Sequence, residues 1–195
     1  MNQKSKTRTV QFRRKREGKT NYKKRLNILK SGMPRLVVRK SLNHVSVQIV
    51  KYFPEGDKVV ATVTSKALEK IGWPVKGNVP SAYLTGLLIG KKAADVKIKH
   101  VVLDLGMHMP IKGSRIYALV KGAIDAGMDI PCGSNIFPSE ERITGKDIAA
   151  FAKMLKEKDA DAYKKQFSKY LKDNNDPLMI EKLFENIKNK IIGVN

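Results

Sequence analysis

The chain has 195 residues, 42% of them hydrophobic, with 39 Lys and Arg against 18 Asp and Glu and a formal net charge of +21. That length suits one domain of ordinary size plus appendages, and the apolar share, slightly below the globular norm, still supports a real core. So large an excess of one sign repels itself in a compact state and gains a globular enzyme nothing, which points to a polyanionic partner, either nucleic acid or an anionic membrane surface.

The excess is concentrated at the N-terminus. Residues 1–30 hold 12 basic residues against the single acid Glu17, net +11; residues 31–139 hold 15 against 7, and residues 140–195 hold 12 against 10. The first segment has few apolar residues and cannot bury enough surface to offset its ordering entropy, so it is expected to lack fixed structure when free. Its densest part, "FRRKRE", favours Arg, which grips phosphate bidentately. Phe12 and Tyr22 lie among the basic residues, where their rings suit stacking on exposed bases. A mitochondrial presequence is also Arg-rich, but it is Ser-rich and amphipathic, and this segment is neither. The chain divides on this reading into an arm (1–33), a core (34–139) and a C-terminal extension (140–195).

The core begins with "PRLVVRKS" (34–41) and "HVSVQIVKY" (44–52), two β-branched runs joined by a short turn, which predict a hairpin. A third run, "KVVATVTS" (58–65), places Val59, Ala61 and Val63 on one face and completes an antiparallel meander. "KALEKIGW" (66–73) predicts a short helix ended by Gly72 and Pro74. A longer helix runs from Pro80 to Ala94, with Gly86 and Gly90 four apart, a spacing that lets another element approach closely. "IKHVVLDLG" (98–106) predicts a strand, "GSRIYALVKGAIDAG" (113–127) a helix with Ser114 as N-cap and Gly127 as its stop, and "MDIPCG" (128–133) a final strand. Strand, helix and strand make a right-handed crossover, so those two strands should be parallel.

These elements add up to an α/β fold: a mixed five-stranded sheet of ribonuclease H-like type, three antiparallel strands followed by a βαβ unit, with helices packed on it. The extension reads as helical throughout. Thr144 and Asp147 resemble a capping box. Tyr163, Phe167, Tyr170 and Leu171 share one side. Asp176 and Pro177 open a last helix whose stripe is Ile180, Leu183, Phe184, Ile187 and Ile191. These helices either pack on the core or dock on a second protein.

Catalytic ribonuclease H-like proteins gather carboxylates around two metal ions. Here the first strand carries no acid, and Asp104 alone stands on a central strand, where it reads as a hydrogen-bonded structural residue. No nucleophile–base pair and no GxxxxGK[ST] phosphate loop is present. His44, His100 and His108 are scattered without zinc-ligand spacing. The expectation is therefore no enzyme, no metal and no cofactor. No apolar run reaches the roughly 20 residues of a membrane span, no signal-peptide core opens the chain, and the single cysteine, Cys132, fits a reducing cytosol. No membrane partner and no small-molecule substrate are expected.

The segments "NYKKRLNILKSGMPRLVVRKSLNHVSVQIV", "SAYLTGLLIGKKA", "VVLDLGMH", "KGSRIYALVKGAIDAGMDIPCG" and "FPSEERITGKDI" resemble, in order and spacing, the large-subunit ribosomal protein eighteen family. The resemblance is to the archaeal type, related to the eukaryotic large-subunit ribosomal protein five, and covers about residues 5 to 192. It implies a cytoplasmic ribosomal protein of the central protuberance that binds 5S rRNA, links it to the large-subunit rRNA and touches neighbouring large-subunit ribosomal proteins. It also implies a non-catalytic sheet of the ribonuclease H-like type. The contacts it implies are Arg8, Arg13, Arg14, Lys15, Arg16, Lys19, Tyr22, Lys23, Lys24 and Arg25 in the arm; Arg35, Arg39, Lys40, Ser41, Asn43 and His44 in the first hairpin; and Lys112, Gly113, Ser114 and Arg115 at a helix start. A helix N-terminus presents outward N–H groups and partial positive charge, which suits a phosphate. The alternatives are an RNA-binding module outside the ribosome and a ribonuclease H-type nuclease.

Overall fold

The computed structural model of the chain describes residues 10–173 and 175–193. Within the arm, two short helices form where no fixed structure was expected: α1 (Arg13–Arg16) and α2 (Tyr22–Leu29). Local chemistry accounts for α2. The Asn21 side chain accepts a hydrogen bond from Lys24 N at 3.0 Å and caps the first turn. Ile28 and Leu29 are half-buried. Arg25 then reaches the Asp57 carboxylate at 2.7 Å and ties α2 to the turn before the third strand.

The sheet is built from β1 (Arg35–Lys40), β2 (Val45–Lys51), β3 (Lys58–Thr64) and β4 (Val102–Asp104), in the order β3-β2-β1-β4. The first three strands are antiparallel neighbours, and β4 runs parallel to β1. Alternation sets the register of the hairpin. Leu36 faces Ile49 and Val38 faces Val47, and all four side chains are fully buried. Ala61 and Val63 join them as expected, but Val59 is 53% exposed. Ile49 pairs with Ala61 whereas Val50 pairs with Val59. Val60 is therefore an extra residue in β3, and this bulge turns the start of the strand over.

The expected fifth strand, 128–133, shrinks to a single parallel bridge between His100 and Asp129. Val101 N donates to Asp129 O at 3.1 Å and Asp129 N to Lys99 O at 2.8 Å. The bridge is parallel, as expected, but pairing stops because Pro131 has no N–H to donate. The five strands of the expected ribonuclease H-like sheet are thus corrected, among the described residues, to four in a mixed sheet with helices packed on it.

A 3₁₀ turn, Ser65–Ile71, ends at Gly72 with φ +91° and leads into α3 (Val79–Asp95). Asn78 caps α3 by accepting from Ser81 N at 3.1 Å. The next long helix is α4 (Arg115–Asp125). A Cβ at Gly86 would lie 2.1 Å from the Leu119 carbonyl oxygen, and one at Gly122 would lie 2.2 Å from that of Tyr83. The two helices therefore touch backbone to backbone, and only glycine fits at the crossing. That packing offsets the roughly 1 kcal/mol that each mid-helix glycine costs in propensity.

The extension contains α5 (Glu140–Thr144), α6 (Lys146–Lys158), α7 (Ala160–Gln166), α8 (Ser168–Lys172) and α9 (Ile180–Ile192). The capping box at Thr144 does not form. Thr144 closes α5 and donates its hydroxyl to Glu141 O, and Gly145, with φ +88°, starts α6. The stripe of α9 behaves as its periodicity predicts: Ile180, Phe184, Ile187 and Ile191 are buried in the same apolar cluster as the sheet. Phe184 lies edge-on to Trp73 at 6.2 Å and against Tyr83 at 5.7 Å. Ala152, Tyr163 and Phe167 form a small cluster of their own, while Leu171 is 40% exposed.

Candidate nucleic-acid interface

The parallel pair β1 and β4 ends on the same side of the molecule as the β1–β2 turn, the loop 106–113 and the start of α4. Carboxyl ends of strands are where open α/β sheets usually present ligand sites, and here three basic groups converge on that end.

The hairpin turn is the first group. Ser41 N donates to His44 O at 2.8 Å, and the Ser41 hydroxyl accepts from His44 N at 3.1 Å, so four residues close the turn. Ser41 and Asn43 are exposed, and Leu42 stands 85% exposed at the tip. His44 is half-buried with Nδ1 3.4 Å from the Ser65 hydroxyl. Arg39, Lys40, Ser41 and His44 line a groove of about 370 Å³ together with Lys66. Lys40 N donates to His108 Nε2 at 3.3 Å, which joins the hairpin to the loop after β4. Burial lowers the His108 pKa below its ordinary value, and the charges of Lys40 and Arg39 lower it further; the ring sits there as a neutral acceptor.

Behind the turn lies an ion-pair network. Arg35 is 2% exposed and donates to Asp104 at 2.9 Å and to Asp57 at 2.6 Å. It is a core residue, and its place as an expected RNA contact is corrected accordingly. Asp104 accepts further bonds from Gly106 N at 2.8 Å and Arg39 at 3.4 Å, and is the hydrogen-bonded structural acid the strand pattern indicates. Arg39 also donates to the carbonyls of Val38 and Asp104, both at 2.8 Å, yet keeps 43% of its side chain exposed. Burial alone would raise the pKa of Asp57, but the hydrogen bonds and charges of Arg25 and Arg35 outweigh it and hold the carboxyl below its ordinary range.

The helix start is the third group. Lys112 is exposed. Gly113 adopts φ +66° and donates its N–H to Ile136 O at 2.9 Å. Ser114 occupies the N-cap position, but its hydroxyl caps nothing, and the buried Oγ has no partner. Arg115 does not project freely, as an unencumbered phosphate contact would. Its guanidinium donates to Gly77 O at 2.7 Å and Leu42 O at 3.2 Å and pins the hairpin tip to the loop before α3. Arg142 comes within 3.7 Å of where a Gly113 Cβ would lie. Arg142 and Lys66 are members of this surface that the sequence reading missed. No local pattern marks them, because each reaches the site from an element distant in the chain.

In the arm, Arg13, Arg14, Lys15, Arg16, Lys19, Lys23 and Lys24 are exposed, and Arg25 is half-buried. Phe12 and Tyr22 pair with each other, ring centroids 5.2 Å apart, instead of standing separately as stacking platforms. Arg8 lies outside the described residues.

Among the described residues no three His, Cys, Asp or Glu side chains gather in one place, and the central carboxylate is saturated by arginine and backbone donors. Fold and surface together define a basic α/β protein with a group of cationic side chains, Arg39, Lys40, Lys66 and Lys112 among them, at the carboxyl end of β1, a form suited to a phosphate polymer. The family model described as ribosomal large subunit proteins 60S L5 and 50S L18 matches residues 6–100, about the N-terminal half of the chain, and supports placing the chain in this ribosomal family. The match supports a large-subunit ribosomal protein, an RNA-binding ribonucleoprotein component of translation, and points to a structural role.

Proposed function

We propose that the chain binds 5S rRNA and links it to the large-subunit rRNA in the central protuberance of the cytoplasmic ribosome, beside neighbouring large-subunit proteins and without performing chemistry. The observation that carries this reading is the family match over residues 6–100, a span that includes the whole described arm and the hairpin. Arm residues Arg13, Arg14, Lys15, Arg16, Lys19, Lys23 and Lys24 supply exposed phosphate contacts on this reading. Arg39, Lys40, Ser41, Asn43 and His44 shape the hairpin contact, and Lys112, Gly113 and Ser114 add the helix start. Arg25 and Arg115 act differently. They hold the arm and the hairpin tip in position, and their effect on RNA runs through that geometry.

Salt titration tests the electrostatic part. Neutralising six to ten phosphates lowers affinity by roughly 10³–10⁵ between 50 and 200 mM salt on the duplex-DNA scale, and folded RNA gives a shallower slope. Filter binding of labelled 5S rRNA across that range should show the steep loss. A nearly flat titration, or equal affinity for an unrelated RNA of the same length, would overturn the proposal.

A further inference from the structure

Between the arm and the sheet lies a cavity of about 120 Å³, walled by Arg14, Lys19, Lys24 and Arg25 from the arm and by Arg39 and Asp104 from the ends of β1 and β4. Five of these six side chains are cationic. Three have carboxylate partners: Lys19 meets Glu17 at 2.8 Å, Arg25 meets Asp57 at 2.7 Å, and Arg39 meets Asp104 at 3.4 Å. Two of those carboxylates are shared with the buried Arg35. Arg14 and Lys24 pair with no carboxylate among the described residues, and Arg14 directs its Nε to the Thr20 hydroxyl at 2.9 Å. Docking the arm therefore draws cations together faster than it supplies anions, and the closed arrangement repels itself. The space is about four times the ~30 Å³ share of a liquid water, enough for a tetrahedral oxyanion, and an arginine beside a lysine is the pairing that grips one.

We infer that this cavity binds one phosphate group between the arm and the core, and that the bound phosphate locks the arm in its docked position. The inference rests on the reading that the arm meets RNA, and it adds the place where a single phosphate closes the joint. The group is a phosphodiester of the RNA backbone or free phosphate, and the two sources are separable. The site also gives the arm two states. With the cavity empty, α2 is held to the core through Arg25 and its half-buried Ile28 and Leu29. With it filled, Arg14 and Lys24 join the same anion as Arg39.

Limited trypsin digestion of the full chain tests this, read at the Lys30–Ser31 bond, which the variants below leave in place. At inorganic phosphate ten times its Kd, cleavage through the undocked state should slow by roughly tenfold relative to chloride at equal ionic strength. The double variant Arg14→Gln, Lys24→Gln should lose that protection, whereas Lys70→Gln on the exposed 3₁₀ turn should keep it. A short RNA oligonucleotide without terminal phosphates that protects the bond and displaces phosphate identifies the backbone as the source. Protection by phosphate alone identifies the free ion. If phosphate leaves the cleavage unchanged while 5S rRNA still protects the arm, the phosphate site is overturned and the RNA reading stands. If phosphate protects and 5S rRNA does not bind, the RNA reading falls and the site stands.

Discussion

The N-terminal arm and the C-terminal extension are both made of short helices rich in lysine and attached to the same core, but different forces hold them. Residues 1–30 carry net +11 with one acid, while residues 140–195 carry net +2 with ten. The extension inserts an apolar stripe, so that Ile180, Phe184, Ile187 and Ile191 are continuous with the sheet's own cluster. Among the described residues up to Lys30, the arm offers two half-buried apolar residues, Ile28 and Leu29, and the Arg25 guanidinium. Hydrophobic burial scales with area and is not weakened by charge screening, whereas the arm's attachment is partly an ion pair that salt screens. A segment fixed by burial is committed on folding. One held by a few charges stays available to a partner that carries more of the opposite charge.

The sharpest way to break the comparison is to attack the buried side. Phe184→Ala removes an aromatic ring that is 2% exposed between Trp73 and Tyr83, and should cost about 3–5 kcal/mol of stability, measured by chemical denaturation. A loss below about 1 kcal/mol would mean that the extension is an appendage and not part of the core. Asp104→Ala comes next. It leaves the buried Arg35 without its inner partner, a change that costs about 3–5 kcal/mol when no other anion is near. Asp57 remains at 2.6 Å, so the loss should fall at the lower end.

On the other side of the comparison, a chain beginning at Ser31 should still fold. It loses Arg25–Asp57, whose partners are 36% and 26% exposed, along with half-buried Ile28 and Leu29, together on the order of 1–2 kcal/mol. Its RNA affinity should fall far more than its stability, because residues 1–30 take +11 of the +21 with them. A truncated core that binds 5S rRNA as tightly as the whole chain would remove the arm from the interface.

Much of this architecture is legible without coordinates where one period dominates. The alternation in β1 and β2 and the 3.6-residue stripe of α9 read directly, since each buries a whole face. The glycine spacing at Gly86 and Gly90 announces a close helix crossing. What escapes is set by single residues acting against a pattern. Val60 adds one position to β3 and turns Val59 outward, Pro131 ends the fifth strand after one bridge, and Gly145 splits a predicted capping box between two helices. At the site, the family resemblance implies Arg35 and Arg115 as RNA contacts. Only the fold shows that Asp57 and Asp104 already claim the first, and that the carbonyls of Gly77 and Leu42 claim the second. Arginine in a basic protein is ambiguous in this way, because the fork that holds a phosphate also holds a carboxylate or a pair of carbonyls.

The smallest expected effect concerns the joint between the hairpin and the loop after β4. Lys40 N donates to His108 Nε2 at 3.3 Å, so the ring must be neutral at that nitrogen, with its proton on Nδ1. Burial first, then the charges of Lys40 and Arg39, lower the His108 pKa from 6.5. The folded state thus binds its proton later than the unfolded state as the medium is acidified. The stability linked to His108 is therefore fully present above pH 6.5 and is lost as the pH falls through the lowered folded-state value. Asp57, also depressed but starting from 3.8, keeps its contribution at every pH above that value and loses it only as the pH falls further, so the two groups separate on a pH axis. Amide exchange at Lys40 reports the joint directly, since that N–H is freed when the ring protonates. It should quicken, relative to its intrinsic rate, as the pH drops below 6.5 in the wild-type chain. In His108→Gln the same ratio should not change between pH 7 and 5. Retention of the full acid response in the variant would show that another group loosens the hairpin.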